Sequence, residues 1–360
     1  MAKQLIVPPA LQMGGVIAVT APSAGVGKAL EPRFEVSARF AEREGYVVRR
    51  GRCLFSGNHV SASVIARASE LQEMMTDETV GAVIPPWGGE LLLPMLEHLD
   101  FERIAANPRW FAGWSDCSAV TFALLLRSGL MSLHGQNFMD LPMPPAGGGT
   151  SWQTILGGVQ GDSFTDNALD RFASKWPDYC ADPEVLSFPL DTPTTWKVLG
   201  PEREIEVKGR LIGGCNEIVS RLVGTQFGDI SLFANTYAPE GLIVYLENAE
   251  SNAFEVARTL HHLRLAGWFE RANAVMIGRS SGASAESFTQ EDAIADALGQ
   301  LAIPVFYNVD IGHVPPQQLI VNGVFATIRY GAIHKSITQR LVRHYVCIVR
   351  CLIACSVMRA

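Results

Sequence analysis

The chain has 360 residues, 48% of them hydrophobic and 18% charged, and a formal net charge of -7. That length predicts two domains, at about 100 to 200 residues each. The acidic balance, a pI near 5.7 and the lack of a dense basic cluster exclude a general binder of nucleic-acid polymers or anionic membranes, both of which need basic patches.

Residues 1–10 carry one lysine and no long apolar core, and no apolar stretch reaches the roughly 18 residues of a spanning helix. A cytoplasmic protein is expected. Seven cysteines at irregular spacing, without a Cys-x-x-Cys pair, predict reduced thiols rather than a disulfide framework or a zinc site. Cys53, Cys117, Cys180 and Cys215 read as small packing residues.

In chain order, residues 15–20 form a continuous apolar run of parallel-strand type, ending in the turn-rich loop Ala21-Pro22-Ser23-Ala24-Gly25. The stretch ending in Gly27-Lys28 is no phosphate loop, because Pro22 replaces the first glycine of that motif and Ala29 its hydroxyl residue. Residues 33–44 predict a helix, 46–48 the next strand, 63–75 a second helix, and 81–85 a third strand running into Pro86-Trp87-Gly88-Gly89. Strands alternating with helices of this length predict a doubly wound parallel sheet, with ligands beyond the carboxyl ends of its strands. The loops at Ser23, Gly88 and Ser115 would then share one edge. Paired glycines after a strand let a ligand approach the backbone, and residues 90–99 predict a helix, so the Gly89 amide is a candidate oxyanion donor. The competing reading is an ordinary tight turn.

Phe111-Ala112-Gly113-Trp114-Ser115-Asp116-Cys117-Ser118 follows. Residues 110–112 read as the end of a short buried strand, Gly113 permits a tight turn, and 119–126 have the composition of a buried helix. A serine at that junction is held where a substrate reaches it, and the Asp116 amide would lie at a helix N-terminus, which favours a developing oxyanion. Ser115 is therefore the candidate nucleophile. The G-x-S-x-G elbow is not met, since Cys117 replaces its second glycine, and a plain helix cap is the competing reading.

After Gly135 the texture changes. Residues 142–149 are rich in Pro and Gly and predict a link, and 151–196 form a mixed polar stretch with Trp152, Trp176 and Trp196. The expected layout is a nucleophile domain over 1–145, a linker and substrate-facing loop over 146–200, a second domain over 201–340 and a tail over 341–360. In the second domain, runs at 209–214, 217–223 and 241–246 mix strands and helices. Glu247 stands where the strand 242–246 ends and a helix over 248–265 begins, a place from which a carboxylate reaches an imidazole. His313 follows a strand end in a proline-stiffened loop. His134, His261 and His262 compete with it as the base, His134 most strongly because it also follows an apolar run.

Taken in order, the segments Ile17-Ala18-Val19-Thr20-Ala21-Pro22-Ser23, Pro86-Trp87-Gly88-Gly89, Gly113-Trp114-Ser115-Asp116, Leu133-His134-Gly135, Gly209-Arg210-Leu211-Ile212-Gly213-Gly214-Cys215, Tyr245-Leu246-Glu247 and Gly312-His313 resemble the serine peptidases of the LD-carboxypeptidase family. That family includes murein-tetrapeptide carboxypeptidases and microcin C self-immunity peptidases. The resemblance implies a triad of Ser115, His313 and Glu247, an oxyanion hole from the amides of Gly89 and Asp116, and no need of a metal or cofactor. It also implies a flavodoxin-like, class I amidotransferase-like nucleophile domain joined to a smaller β-rich α/β domain, commonly as a homodimer.

The reaction so implied is hydrolysis of an amide bond through an acyl-enzyme, on a small peptide or an aminoacyl or peptidyl nucleotide. Trp87, Gly88, Trp176 and Trp196 are the expected substrate-binding residues, Trp176 and Trp196 by stacking on a base. Many murein enzymes carry an arginine just before the Gly-Gly, where this chain has Trp87, and that departure weighs against the murein reading. A murein tetrapeptide carboxypeptidase of cell-wall recycling, an amidotransferase-like acyl hydrolase using Ser115 and a catalytically silent binding module are the alternatives. The tail departs from the family: Cys347, Cys351 and Cys355 stand four apart, near one helical face, and are expected to pack on the body or a partner.

Overall fold

The structure, a computed structural model, describes residues 3–343. Cys347, Cys351 and Cys355 of the tail lie outside the described residues. Four parallel strands, β1 (Val16–Val19), β2 (Val47–Arg50), β3 (Val80–Val83) and β4 (Trp110–Phe111), stand in the order β2-β1-β3-β4. A fifth, β5 (Ser132–His134), adjoins β4 through a parallel bridge between Ala112 and Leu133. The order 2-1-3-4-5 is that of flavodoxin-like sheets. Helices α1 (Glu31–Arg43), α2 (Val64–Thr76), α3 (Phe101–Ala106) and α4 (Ser118–Ser128) alternate with these strands. Ile17, Ala18, Val19, Ala82 and Val83 are fully buried, as strands covered on both faces must be. Ser63 starts α2 by accepting the Ala66 N–H, and Gly129, at φ 70, ends α4.

The helix expected over 90–99 does not form, and only a 3-10 turn spans Leu93–His98. A helix begun at Glu90 would put Pro94 in its interior, where the ring lacks a donor and clashes with a carbonyl four residues back. Gly89 therefore sits in a loop and not at a helix N-terminus.

Residues 146–200 hold α5 (Trp152–Leu156), β6 (Ser163–Asn167), the paired β7 (Arg171–Phe172) and β8 (Thr192–Pro193), and β9 (Lys197–Val198). Beyond them come β10 (Ile205–Cys215), α6 (Asn216–Val219), α7 (Ile230–Tyr237), β11 (Leu242–Glu247), α8 (Ala253–Leu265), β12 (Ala272–Gly278), α9 (Gln290–Leu298), β13 (Val305–Val309), β14 (Ile320–Asn322), β15 (Phe325–Tyr330) and β16 (Lys335–Arg340). Eight of these strands form one mixed sheet, β6-β16-β15-β10-β11-β12-β13-β9. It is parallel from β10 to β13 and antiparallel on both flanks.

This half is rich in β-structure, and its sheet has more strands than the first. Residues 146–200 do more than connect, since β6 and β9 close the two edges of the larger sheet. β14 pairs antiparallel with β5, so a strand from the second half extends the first sheet, and one apolar core runs through both. α8 begins five residues later than expected, capped by Asn252, whose side chain accepts the N–H groups of Phe254 and Glu255. Among the described residues, no helix is long and apolar enough to cross a membrane.

Candidate active site

The chain leaves β4 and turns through Gly113 and Trp114 into Ser115, which is held at φ 60. A non-glycine residue at positive φ is strained, and such strain persists only where the surroundings over-determine it. Here the Trp114 N–H donates to Asn137 Oδ1 at 3.3 Å and the Gly113 N–H to the Leu133 carbonyl at 2.9 Å. Cys117, where the elbow's second glycine would stand, is fully buried, and a Cβ on Gly113 would lie 3.0 Å from the Cys117 Cβ. The space that a second glycine would leave is thus freed by Gly113.

Across from Ser115 lies the Gly88-Gly89 loop. A Cβ on Gly88 would fall 2.8 Å from Ser115 Oγ and 3.2 Å from the Asp116 nitrogen. One on Gly89, at φ 146, would overlap Ser23 Oγ and lie 2.7 Å from the Ala24 nitrogen. Only glycine lets this loop come so near. The buried Asp116 carboxylate ties the loops together, accepting the Ser23 hydroxyl and the Leu92 N–H (2.9 Å). Burial pushes its pKa up, against the pull of those two hydrogen bonds.

The basic and acidic groups come from the second sheet. Glu247, the last residue of β11, is fully buried, and its Oε2 is 2.6 Å from His313 Nδ1. Gly312, at φ 94, allows that approach, since a Cβ there would lie 2.6 Å from Glu247 Oε2. Burial pulls the His313 pKa down, but the charge and hydrogen bond of Glu247 outweigh it and leave the imidazole above its ordinary value. The Trp114 ring lies 4.5 Å from the imidazole, and Trp176 Nε1 donates to the His313 carbonyl at 2.6 Å. Ser115, His313, Trp87, Trp114 and Trp176 line one cleft of about 1250 Å³.

Beneath the histidine loop, the buried Asp310 accepts the Arg279 guanidinium, Trp196 Nε1 (2.7 Å) and the Leu169 N–H (2.8 Å). Arg279 also donates to the carbonyls of Val314 (3.0 Å) and Pro316 (2.6 Å), on either side of Pro315. Asp310→Ala would leave a buried guanidinium uncompensated and is expected to cost about 3–5 kcal/mol of stability. Urea unfolding of the variant measures this, and a loss under about 1 kcal/mol would contradict it.

This network corrects the expectation for Trp196. The indole is fully buried with its N–H on Asp310, so it cannot stack on a ligand. Trp176, by contrast, faces the cleft 5.5 Å from the Trp114 ring. His134, the strongest competitor for the base, is buried behind Glu247, its Nε2 3.7 Å from Oε1. Burial lowers its pKa to about 4, against the pull of the Glu247 charge. His261 pairs with Asp296 at 2.7 Å, and neither it nor His262 lines the cleft.

Sequence reasoning missed several groups on the cleft wall, Cys215, Glu217 and Arg221 among them. Cys215, expected as a packing residue, is buried yet borders the cleft, with Sγ 3.3 Å from Glu217 Oε2. Glu217 Oε1 accepts the N–H groups of Ala249, Glu250 and Ser251, each at 3.0 Å. Burial would raise its pKa, but these backbone donors hold the carboxyl below its usual range. No local pattern announces it, because the donors arrive on the loop that follows β11.

Residues 17–135 match the model of the LD-carboxypeptidase N-terminal domain, and residues 208–328 that of the LD-carboxypeptidase C-terminal domain. The chain belongs to the LD-carboxypeptidase family. Membership makes it a serine-type carboxypeptidase and leaves the silent-module alternative without support. This LD-carboxypeptidase is similar to a Vibrio cholerae protein named as a carboxypeptidase, 25% identical over 89% of this chain and 94% of the relative. It is also similar to the microcin C7 self-immunity protein MccF of Escherichia coli, 22% identical over 92% of this chain and 95% of the relative. The structure of MccF in complex with glutamyl sulfamoyl guanosine matches with a TM-score of 0.79 at 20% identity, over 95% of this chain and 100% of that one. A muramoyltetrapeptide carboxypeptidase from Oxalobacter formigenes matches with a TM-score of 0.67 at 19% identity, over 91% and 100%. Both likenesses bear on the fold, a two-part α/β architecture.

Proposed function

We propose that this carboxypeptidase cleaves an amide bond in a small peptide or an aminoacyl or peptidyl nucleotide, with Ser115 as nucleophile, His313 as base and Glu247 as the group that orients the imidazole. The observation that carries the reading is the single cleft shared by Ser115 and His313, with the buried Glu247 bonded behind the ring at 2.6 Å. His313 Nε2 takes the Ser115 hydroxyl proton as the oxygen attacks the scissile carbonyl, while the Nδ1 proton stays in its hydrogen bond to Glu247. The amides of Gly89 and Asp116 hold the oxyanion. The imidazolium then gives its proton to the leaving amine, and water, deprotonated by the same base, releases the acyl group.

The aromatic surfaces of Trp87, Trp114 and Trp176 suit a planar base or an apolar side chain. MccF, to which the chain is similar, has been captured with glutamyl sulfamoyl guanosine and aspartyl sulfamoyl adenosine, which supports the nucleotide form of the substrate. A cytoplasmic homodimer is the setting proposed for the enzyme. One observation favours the second reading, a murein tetrapeptide carboxypeptidase: Arg221 lines the cleft, and a guanidinium there suits a terminal carboxylate.

The two readings separate when the protein and its Ser115→Ala variant are each incubated with aspartyl sulfamoyl adenosine and with a murein tetrapeptide, and products are followed by mass spectrometry. Ser115-dependent cleavage of the adenosine compound is expected. Cleavage of the tetrapeptide alone would transfer the assignment to the murein reading, and cleavage of neither would overturn both.

A further inference from the structure

We propose that Cys215, Glu247 and His313 form an inhibitory site for a thiophilic divalent cation, with Zn2+ as the best match. One ligand atom from each residue, the thiol sulfur, a carboxylate oxygen and a ring nitrogen, lies within 4.8 Å of the others. In a tetrahedral zinc site with bonds of about 2.0–2.3 Å, ligand atoms stand roughly 3.3–3.8 Å apart, so small side-chain rotations close the trio around an ion. Sulfur, imidazole and carboxylate are the donors zinc takes in proteins, whereas Mg2+ and Ca2+ require oxygen shells.

Three further features favour the site. Glu217 Oε2 lies 3.3 Å from Cys215 Sγ and brings a second carboxylate beside the thiol, while its Oε1 stays fixed by three backbone N–H groups. Glu247 Oε1 is buried without a hydrogen-bond partner, so that carboxylate has an uncommitted lone pair. Cys215, Glu217 and His313 all border the cleft, which gives an ion a path from solvent.

Coordination releases the thiol proton to solvent, and the ring nitrogen that takes the ion carries no proton. Taken at Nδ1, the ion displaces the hydrogen bond to Glu247, and taken at Nε2 it occupies the nitrogen proposed to receive the Ser115 proton, so with either nitrogen the bound ion and a working triad exclude each other. The inhibitory consequence rests on the triad proposed above, whereas the coordination does not.

Co2+ is the spectroscopic probe, added to the full chain after treatment with a chelator. A thiolate-to-cobalt charge-transfer band at one equivalent is expected, displaced by Zn2+, absent from Cys215→Ala and Cys215→Ser and weakened in His313→Ala. Calorimetry should show Zn2+ bound at least about 100-fold more weakly by either Cys215 variant, since each loses a direct ligand. Thermal unfolding of the metal-free variants checks that each is folded. A band that survives in both Cys215 variants would assign the metal to other thiols and overturn the proposal, as would the lack of any band in the unaltered protein. A Cys215-dependent band in a protein that cleaves neither test substrate would leave the metal site standing and remove the triad reading instead.

Discussion

Ser115→Ala lowers turnover of the true substrate by about a millionfold and changes its binding by less than about tenfold. The asymmetry follows from the geometry. In the proposed mechanism the hydroxyl forms the bond to the acyl carbon, whereas Trp87, Trp114 and Trp176, which line the cleft, are untouched by the change. Alanine at φ 60 is no better relaxed than serine, so unfolding is not expected to contribute to the loss. His313→Ala should lose about as much, and the double variant no more than either, because members of a triad fail as a unit. Single-turnover kinetics and calorimetry on the same preparations give the two numbers. Retention of more than about 1% of turnover in Ser115→Ala would move the nucleophile elsewhere.

Glu247→Gln carries the second large effect. The substitution keeps the size of a fully buried side chain and removes its charge. It also offers an amide N–H group to His313 Nδ1, which favours the wrong tautomer, and the expected fall in kcat is about ten-thousandfold. The pH profile gives an independent readout. The base works only when neutral, so kcat/KM rises with pH through the His313 pKa, which in the unaltered enzyme lies above the ordinary 6.5. Burial works against the charged ring, and the charge and hydrogen bond of Glu247 oppose it most, with weaker help from the charges of Glu217 and Glu250. Removing the Glu247 charge therefore moves the acid limb to lower pH. A limb that stays in place or moves upward would exclude Glu247 as the partner of His313.

Much of this arrangement is legible without coordinates, and the physical reason is the same at each point. A strand covered on both faces must be apolar along its length, so 15–20 and 81–85 announce the parallel sheet by themselves. A backbone that must pass within contact distance of another has room only for glycine, which is why Gly88, Gly89 and Gly113 point to the Ser115 loop before any packing is known. Pro94 carried a similar message, that residues 90–99 cannot form one helix, and it was legible in the sequence although the apolar pattern hid it.

Other decisions belong to tertiary structure. His134 and His313 both follow apolar runs, and local pattern treats them alike. Pairing of β5 with β14 buries His134 in the interior, while His313 lies on a loop beyond β13 that Arg279 and Asp310 clamp against the cleft. Trp176 and Trp196 stand in the same polar stretch, and only the partner of each indole, the His313 carbonyl or the buried Asp310 carboxylate, separates a cleft wall from a core anchor. β6 and β9 lack any apolar run and become strands because the larger sheet presents open edges to them. The sequence by itself determined the parallel architecture and marked Ser115 as the candidate nucleophile, since both follow from burial and close approach along a local stretch. Which histidine and which tryptophan share the cleft with Ser115, and which carboxylate backs that histidine, was decided only by the packing of two sheets, because those residues stand 60 to 200 positions away and no local pattern encodes that distance.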